Sequence, residues 1–459
     1  MADDERVKII ITNSPNAVIR MHPSLCRRLQ LVSPQPLRMA HGELKFEIGY
    51  VPDASISENE IIVSRKVAEQ LLLNKYPFPI YAHVNNRQLR VGPIVGILCN
   101  PVWNTAKQTM RSFGQLPSLN KLVQVGEANG AICYLFGLQK INFQNSTVSA
   151  YLLTRDGWKE HTLPMPDVIY DQIISRKIEQ KEKWATVRKT LSKIYGDRIF
   201  NDGFFDKWQV HEWLSNEPKM KQHVLSTIRH TTTQNAVSFL QKYQMIFLKP
   251  VHGSLGVGIA RFVRQSDGTF AFDLKQTTSS VTHGRAKNAL EAVKTFEKRL
   301  SRKQYVWQEG ITLLTYKERP FDIRILMQRD ETGEWKRTKM FARVAKAGDF
   351  TSNISGGGEG LPIDDVLSEI YGSERVKQKC RRQIAQVSKL TVQTLEHESG
   401  KTYGELGIDI GLDKTGNVWI IEVNSKPRKS PKTEKGRQDL VDLSFKRPIV
   451  YAIRLAKNR

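Results

Sequence analysis

Two apolar runs near the C-terminal end, GIDIGL and VWIIEV, each interrupted by one acid, constrain this chain more than any other feature. Between them, Asp413-Lys414-Thr415-Gly416-Asn417 supplies turn residues, so the runs read as a hairpin. With the loop at Lys414 to Asn417, Asp413 faces Val418, and Asp409 falls directly opposite Glu422 (422 − 409 = 13 residues apart). Opposed residues project from one face of a sheet, and Asn424, two positions beyond Glu422, shares that face. Runs this apolar do not suit an exposed ribbon. Two carboxylates and an amide oxygen converging on a covered face repel one another unless a cation sits between them. Mg²⁺ fits that donor set, because it takes few carboxylates and keeps sites for phosphate and water; Mn²⁺ is the alternative occupant.

The chain has 459 residues, too many for one ordinary core, and its 40% hydrophobic and 25% charged content is that of globular proteins. We expect an α+β and α/β multidomain protein. Residues 1–92 read as a β-rich domain with one helix near Arg65 to Leu73 and a hairpin turn at Asn85–Asn86. Residues 93–197 alternate strand and helix signals, as in a small α/β layer with a mostly parallel sheet, and end in a basic helix from Ser175 to Tyr195. Residues 198–445 hold nearly all the chemistry, and 446–459 read as a C-terminal tail. Within the third block a helix is expected from Glu374 to about His397, with Val376, Cys380, Ile384, Val387, Thr391 and Leu395 as its buried stripe.

A net charge of +24 creates a field that attracts nucleotides, nucleic acid or anionic polymers without choosing among them. No recognisable nucleic-acid-binding signature accompanies it. The stretch KPRKSPKTEKGR carries six basic residues from Lys426 to Arg437 against Glu434 alone, and is a candidate for docking on an anionic polymer. Four cysteines without a CxxC pair argue against zinc modules and a disulfide framework. The start, MADDERVKIIIT, lacks a basic n-region, and no apolar run reaches membrane-spanning length, so a cytoplasmic location is expected.

Lys249 closes the apolar run Met245 to Leu248 and precedes Gly253-Ser254-Leu255-Gly256-Val257-Gly258. Glycines there let backbone N–H groups approach phosphate oxygens, although the spacing matches neither GxxxxGK[ST] nor GxGxxG. Arg324 in FDIRILM and Arg343 in KMFARVA are cations on apolar strands, either paired with acids such as Asp322 and Glu318 or aimed at an anionic ligand. Gly348 to Gly360 reads as a surface connection or a lid over a site. No Ser/His/Asp or Cys/His set stands out.

In this order the segments resemble the ATP-grasp superfamily, and more closely its YheC/YheD-type proteins, described as endospore coat-associated. FDIR together with ARVAKAGDFTSNISGGG is similar to the glutamate-ligase branch that modifies ribosomal protein tails. The match covers roughly Phe200 to Pro427. It implies that Lys207 in FFDKW and Lys249 in FLKP hold the nucleotide, with the loop Gly253, Ser254, Gly256 and Gly258 after the second. Gln308, Glu309 and Ile311 in QEGI fall at the adenine hinge, Arg324 and Arg343 at the phosphate-contacting arginines, and Asp409, Glu422 and Asn424 at the metal ligands. The implied activity is an ATP- and Mg²⁺-dependent carboxylate–amine ligation through an acyl phosphate, with both substrates unidentified. The alternative is an ATP-binding structural or assembly protein that docks through its basic residues on a spore-coat surface, and the resemblance adds the spore coat or forespore to the cytoplasm as an expected location.

Overall fold

The computed structural model describes residues 5–458 apart from 15, 17, 32–35, 74–77, 86–87, 112, 180, 254–255, 279, 348–356 and 434–435. At the N-terminal end, strands Glu5–Thr12, Val18–Met21, Leu37–His41, Leu44–Pro52, Glu60–Ser64, Ile80–Asn85 and Gln88–Gly92 close into a barrel. Closure comes from Glu5–Thr12, which pairs in parallel with Glu60–Ser64 and antiparallel with Ile80–Asn85. Val7, Ile19, Ile61, Val63 and Leu89 fill the interior. Helix Arg65–Gln70, capped by the Ser64 hydroxyl, stands where the sequence predicts it, and a second helix, Pro23–Arg28, was not anticipated. Asn85 is a strand residue paired with Gln88 rather than a turn residue, and Asn86 lies outside the described residues.

A six-stranded sheet follows, in the order Gly157–Pro164, Thr147–Thr154, Ile132–Asn142, Ile94–Leu98, Val168–Asp171, Ile199–Phe200. The last four strands run parallel, as expected, and the first two add an antiparallel edge. The basic helix expected over Ser175 to Tyr195 is instead broken into Arg176–Glu179, a 3₁₀ turn at Glu182–Trp184, and Ala185–Tyr195. Lys181 is extended between them, and only Leu191 and Tyr195 are buried, too short a stripe to hold one continuous helix against the sheet.

The tail expected at 446–459 is corrected too. Helix Gln438–Lys457 runs through it, with Val441, Phe445, Ile449, Ala452 and Ile453 buried against Leu119, Leu122 and Val123 of helix Leu116–Ala128. This spacing keeps one apolar face on the core, and it carries the helix through Pro448 despite the lost backbone donor.

Two antiparallel sheets make up the rest. One takes the order Thr227–Arg229, Tyr305–Glu309, Met245–Pro250, Ala260–Arg264, Phe270–Lys275, Val281–Ala286. The other takes the order Glu359–Pro362, Trp335–Val344, Arg319–Arg329, Glu405–Leu412, Val418–Asn424. Helices Lys207–Asn216, Ile363–Ile370 and Glu374–Ser399 pack on the second. In the last of these the buried stripe begins at Cys380. Val376, one turn earlier, is 45% exposed, which corrects the sequence reading.

Candidate functional site

Strand alternation sorts the second antiparallel sheet into an apolar and a charged face. Phe321, Ile323, Ile325, Ile408 and Ile410 enter the core, so Asp322, Arg324 and Asp409 take the opposite face. Asp409 pairs with Glu422 and with Arg324, Asp322 with Arg343, and Gly407 with Asn424. A side chain at Gly407 would put its Cβ 3.7 Å from Asn424 Cβ and 3.6 Å from Arg324 Nη1, so these groups border one surface. The turn itself differs by one residue from the expected register, because Leu412, not Asp413, faces Val418. A bulge between the 409/422 and 410/420 pairs restores the opposition of the two acids. Asp413 anchors the turn instead, accepting hydrogen bonds from the Thr415 and Asn417 N–H groups and from Trp419 Nε1. Although burial pushes its carboxyl up, these donors bring its pKa to about 2.

Arg324 Nη2 and Arg343 Nη2 each lie 2.9 Å from Asp409 Oδ2. Arg343 also grips both oxygens of Asp322 at 2.6 Å. Burial pushes the Asp409 carboxyl up, but the two arginines outweigh it and hold the group below the usual carboxylate range. Glu318 pairs with neither arginine; it stands in a turn at φ +61°. Asp409 Oδ1 is buried and touches Arg324 Nε, yet makes no well-formed hydrogen bond. Both Asp409 oxygens are thus met by arginine, and a hard divalent cation held beside Glu422 and Asn424 would share this carboxylate with them. Among the described residues no cluster of three or more Asp, Glu, His or Cys forms, so such an ion would complete its shell with water and nucleotide oxygens.

Glu422 faces a cleft between the two antiparallel sheets, where Lys207 Nζ reaches it at 3.1 Å. Lys207 opens helix Lys207–Asn216, which Asp206 caps by accepting from the Trp208 and Gln209 N–H groups, and its Nζ also donates to Gly253 O at 3.3 Å. Lys249 lines the same cleft from the other sheet. It donates to Gln308 Oε1 at 2.5 Å; Gln308 Nε2 donates to Thr227 Oγ1 at 3.1 Å; and that hydroxyl donates to Leu225 O at 2.9 Å. Burial brings the Lys249 pKa down to about 8, with Lys207 adding repulsion and Glu422 and Asp409 opposing the shift.

Of the residues singled out from sequence, Lys207, Lys249, Gln308 and Glu422 line this cleft. Asp409, Arg324, Arg343 and Asn424 do not; they sit beside Glu422 on the charged sheet face. The Gln308 side chain is occupied by Lys249 and Thr227. Glu309 donates its N–H to Ser226 O at 2.8 Å, and Ile311 lies on the crossing from one sheet to the other. Gly256 and Gly258 take φ of +73° and +82°, which requires glycine. The Gly258 N–H is already spent on Lys275 O at 2.8 Å, so it adds no phosphate donor. Ser254 lies outside the described residues, as does most of the glycine-rich stretch expected as a lid.

The cationic stretch Lys426 to Arg437 is not a continuous exposed patch. Lys426 pairs with Asp171, Lys429 with Glu405 and the Tyr170 hydroxyl, and Arg437 with Asp439. Sequence reasoning missed Thr227 and both buried lysines, whose partners come from distant segments.

Residues 196–455 match the YheC/D like ATP-grasp family. This chain belongs to that family. Endospore coat-associated protein YheD of Bacillus subtilis (strain 168) is 25% identical over 402 residues, 87% of this chain and 86% of the relative. Endospore coat-associated protein YheC of the same strain is 28% identical over 287 residues, 61% of this chain and 76% of the relative. Among solved structures, a D-alanine–D-alanine ligase from Bacillus anthracis complexed with ATP aligns at 13% identity and a TM-score of 0.45, over 80% of this chain and 99% of that one. The two antiparallel sheets and their helices are thus an ATP-grasp domain, preceded by the small α/β sheet and the N-terminal barrel. No helix among the described residues is long and apolar enough to cross a membrane.

Proposed function

We propose that this ATP-grasp protein is an ATP- and Mg²⁺-dependent ligase, with Mn²⁺ as an alternative metal, that activates a carboxylate as its acyl phosphate and passes the acyl group to an amine. The observation that carries this reading is Glu422, which stands directly opposite Asp409 and reaches Lys207 at 3.1 Å in the cleft that Lys249 also lines. Asp409, Glu422 and Asn424 would hold the metal, which offsets phosphate charge when bound. Lys207 and Lys249 bind nucleotide phosphates, Gly253 and Gly256 give the backbone room beside them, and the Glu309–Ile311 crossing meets the adenine. Arg324 and Arg343, fixed by Asp409 and Asp322, stabilise charge on the transferred phosphoryl.

A carboxylate oxygen of the substrate bonds to the terminal phosphorus while the bond to the ADP oxygen breaks. The amine nitrogen then attacks the acyl carbon, the acyl–oxygen bond breaks, phosphate leaves and the nitrogen loses a proton. Holding the partners in attack geometry supplies most of the acceleration, and no protein nucleophile is needed.

The names of the curated relatives favour a second reading, in which the protein binds ATP for coat assembly without ligase turnover. ADP release with Mg²⁺ against a panel of carboxylates and amines, including glutamate, peptides and cell-wall precursors, separates the two. The ligase reading expects ADP with one such pair, and its loss in Glu422→Ala and in Lys249→Ala. Equal ADP formation in wild type and both variants contradicts the catalytic assignment, and nucleotide binding without turnover on any pair favours assembly.

A further inference from the structure

One cation in the cleft comes from outside the family-matched segment. Arg176 lies on the connector between strand Val168–Asp171 and helix Ala185–Tyr195, yet it lines the cleft with Lys207, Lys249 and Glu422. Its Nη2 donates to Phe205 O at 2.9 Å, and its guanidinium lies over the Phe204 ring at 4.5 Å from the centroid. Both phenylalanines immediately precede the Asp206–Lys207 cap, so the guanidinium is fixed to the segment that delivers Lys207.

Among the described residues no carboxylate stands at ion-pair distance from Arg176; Glu179, Glu422 and Asp206 act on it only from farther off. Each of these acids is engaged elsewhere. Glu179 accepts from the Phe204 N–H and pairs with Lys426, Glu422 pairs with Lys207, and Asp206 caps its helix. The half-buried Arg188 and the buried Arg343, by contrast, are each held by two acids. A partly desolvated guanidinium without such a partner is costly unless a ligand supplies the anion. With Arg176 the cleft lining holds three cations, Arg176, Lys207 and Lys249, against the single acid Glu422, a net of 3 − 1 = +2. That excess complements the residual negative charge of a magnesium triphosphate.

We propose, resting on the nucleotide-binding reading above, that Arg176 is an additional oxyanion-binding residue that takes the terminal phosphoryl oxygens of the bound nucleotide. One edge of the guanidinium is held by Phe205 O, and the remaining N–H groups form a fork that matches two oxygens of one phosphoryl group. The α/β domain thereby closes the ATP-grasp cleft with a charge that the family segment alone does not carry. A substrate carboxylate would present the same chemistry, but only the phosphoryl assignment requires Arg176 to strengthen nucleotide binding in the absence of substrate.

Calorimetric titration of the full chain with Mg-AMPPNP, Mg-ADP and AMP, in wild type, Arg176→Gln and Arg176→Lys, provides the test. The proposal expects Arg176→Gln to weaken Mg-AMPPNP by roughly ten- to a hundredfold, the range for losing hydrogen bonds to a charged group. Mg-ADP should weaken less, AMP should stay within about twofold, and Arg176→Lys should recover part of the loss. Unchanged Mg-AMPPNP binding in Arg176→Gln overturns the proposal. An equal loss for all three nucleotides also overturns it, because that is the pattern of a purely structural staple on Phe205. A wild-type protein that binds none of the three removes the nucleotide reading itself, and this proposal with it.

Discussion

Lys426, two residues beyond Asn424, donates to Asp171 Oδ1 at 2.7 Å, and the side chains of the pair are 1% and 0% exposed. The acid-bearing strand of the ATP-grasp domain is thereby tied to the end of a parallel strand in the α/β sheet. Burial pushes the Asp171 carboxyl up, but Lys426 and Arg188 overcome it and hold the group ionised. Removing one partner leaves a buried charge under-compensated. Lys426→Ala should therefore destabilise the fold by about 3–5 kcal/mol, read as a loss in urea or thermal unfolding.

The neighbouring basic residues divide by burial. Lys429 pairs with Glu405 inside a network that continues through Gln328 to Thr338, whereas Arg428 and Lys432 are exposed and make no ion pair among the described residues. Lys429→Met should lower stability by several kcal/mol. The Arg428→Gln/Lys432→Gln double variant should unfold within about 0.5 kcal/mol of wild type. Thermal unfolding of the two proteins side by side checks this.

Lys249 gives a pH dependence with a definite sign. Its folded pKa, about 8, lies below the ordinary 10.5, so between those values the unfolded chain holds more protons and this residue's contribution to stability rises with pH. The penalty for burying its charge at pH 7 is about 3 kcal/mol. An anionic ligand favours the charged form, so nucleotide binding at pH 8.5 should draw in a proton. Titrations of Mg-ADP in buffers of different ionisation enthalpy should show that uptake, and Lys249→Met should abolish it.

Gln308 acts through Lys249. The Thr227 hydroxyl is committed to Leu225 O and can only accept from Gln308 Nε2, which turns Gln308 Oε1 toward the lysine. Gln308→Leu should weaken Mg-ADP by about tenfold, the value of one charge-assisted hydrogen bond, and lower the pH at which binding fades. Gln308→Glu should raise that pH. Binding isotherms from pH 6.5 to 9.5 would report both shifts.

The opposition of Asp409 and Glu422 was legible because turn residues and strand alternation set it locally. The bulge was not legible, and its extra residue cancelled the one-residue error at Asp413. Lys249 was recognisable as the end of an apolar strand, but its acceptor Gln308 was not, since that contact depends on how two distant strands pair. Lys426 and Lys429 looked like surface charge because their acids, Asp171 and Glu405, come from separate segments. Arg176 was hidden in a stretch whose composition reads as a solvated helix. The terminal helix was not legible as one element, because the apolar spacing of Phe445, Ile449 and Ile453 finds its partner only in the distant helix Leu116–Ala128.

The central claim is that Asp409, Glu422 and Asn424 form a metal site serving a nucleotide in the Lys207–Lys249 cleft. Mn²⁺ binding followed by electron paramagnetic resonance, with and without ADP, tests it in wild type, Asp409→Asn and Glu422→Gln. The account predicts Mn²⁺ binding that ADP strengthens in wild type and at least about tenfold weaker binding in both variants. Variants that hold Mn²⁺ and ADP as tightly as wild type would contradict it.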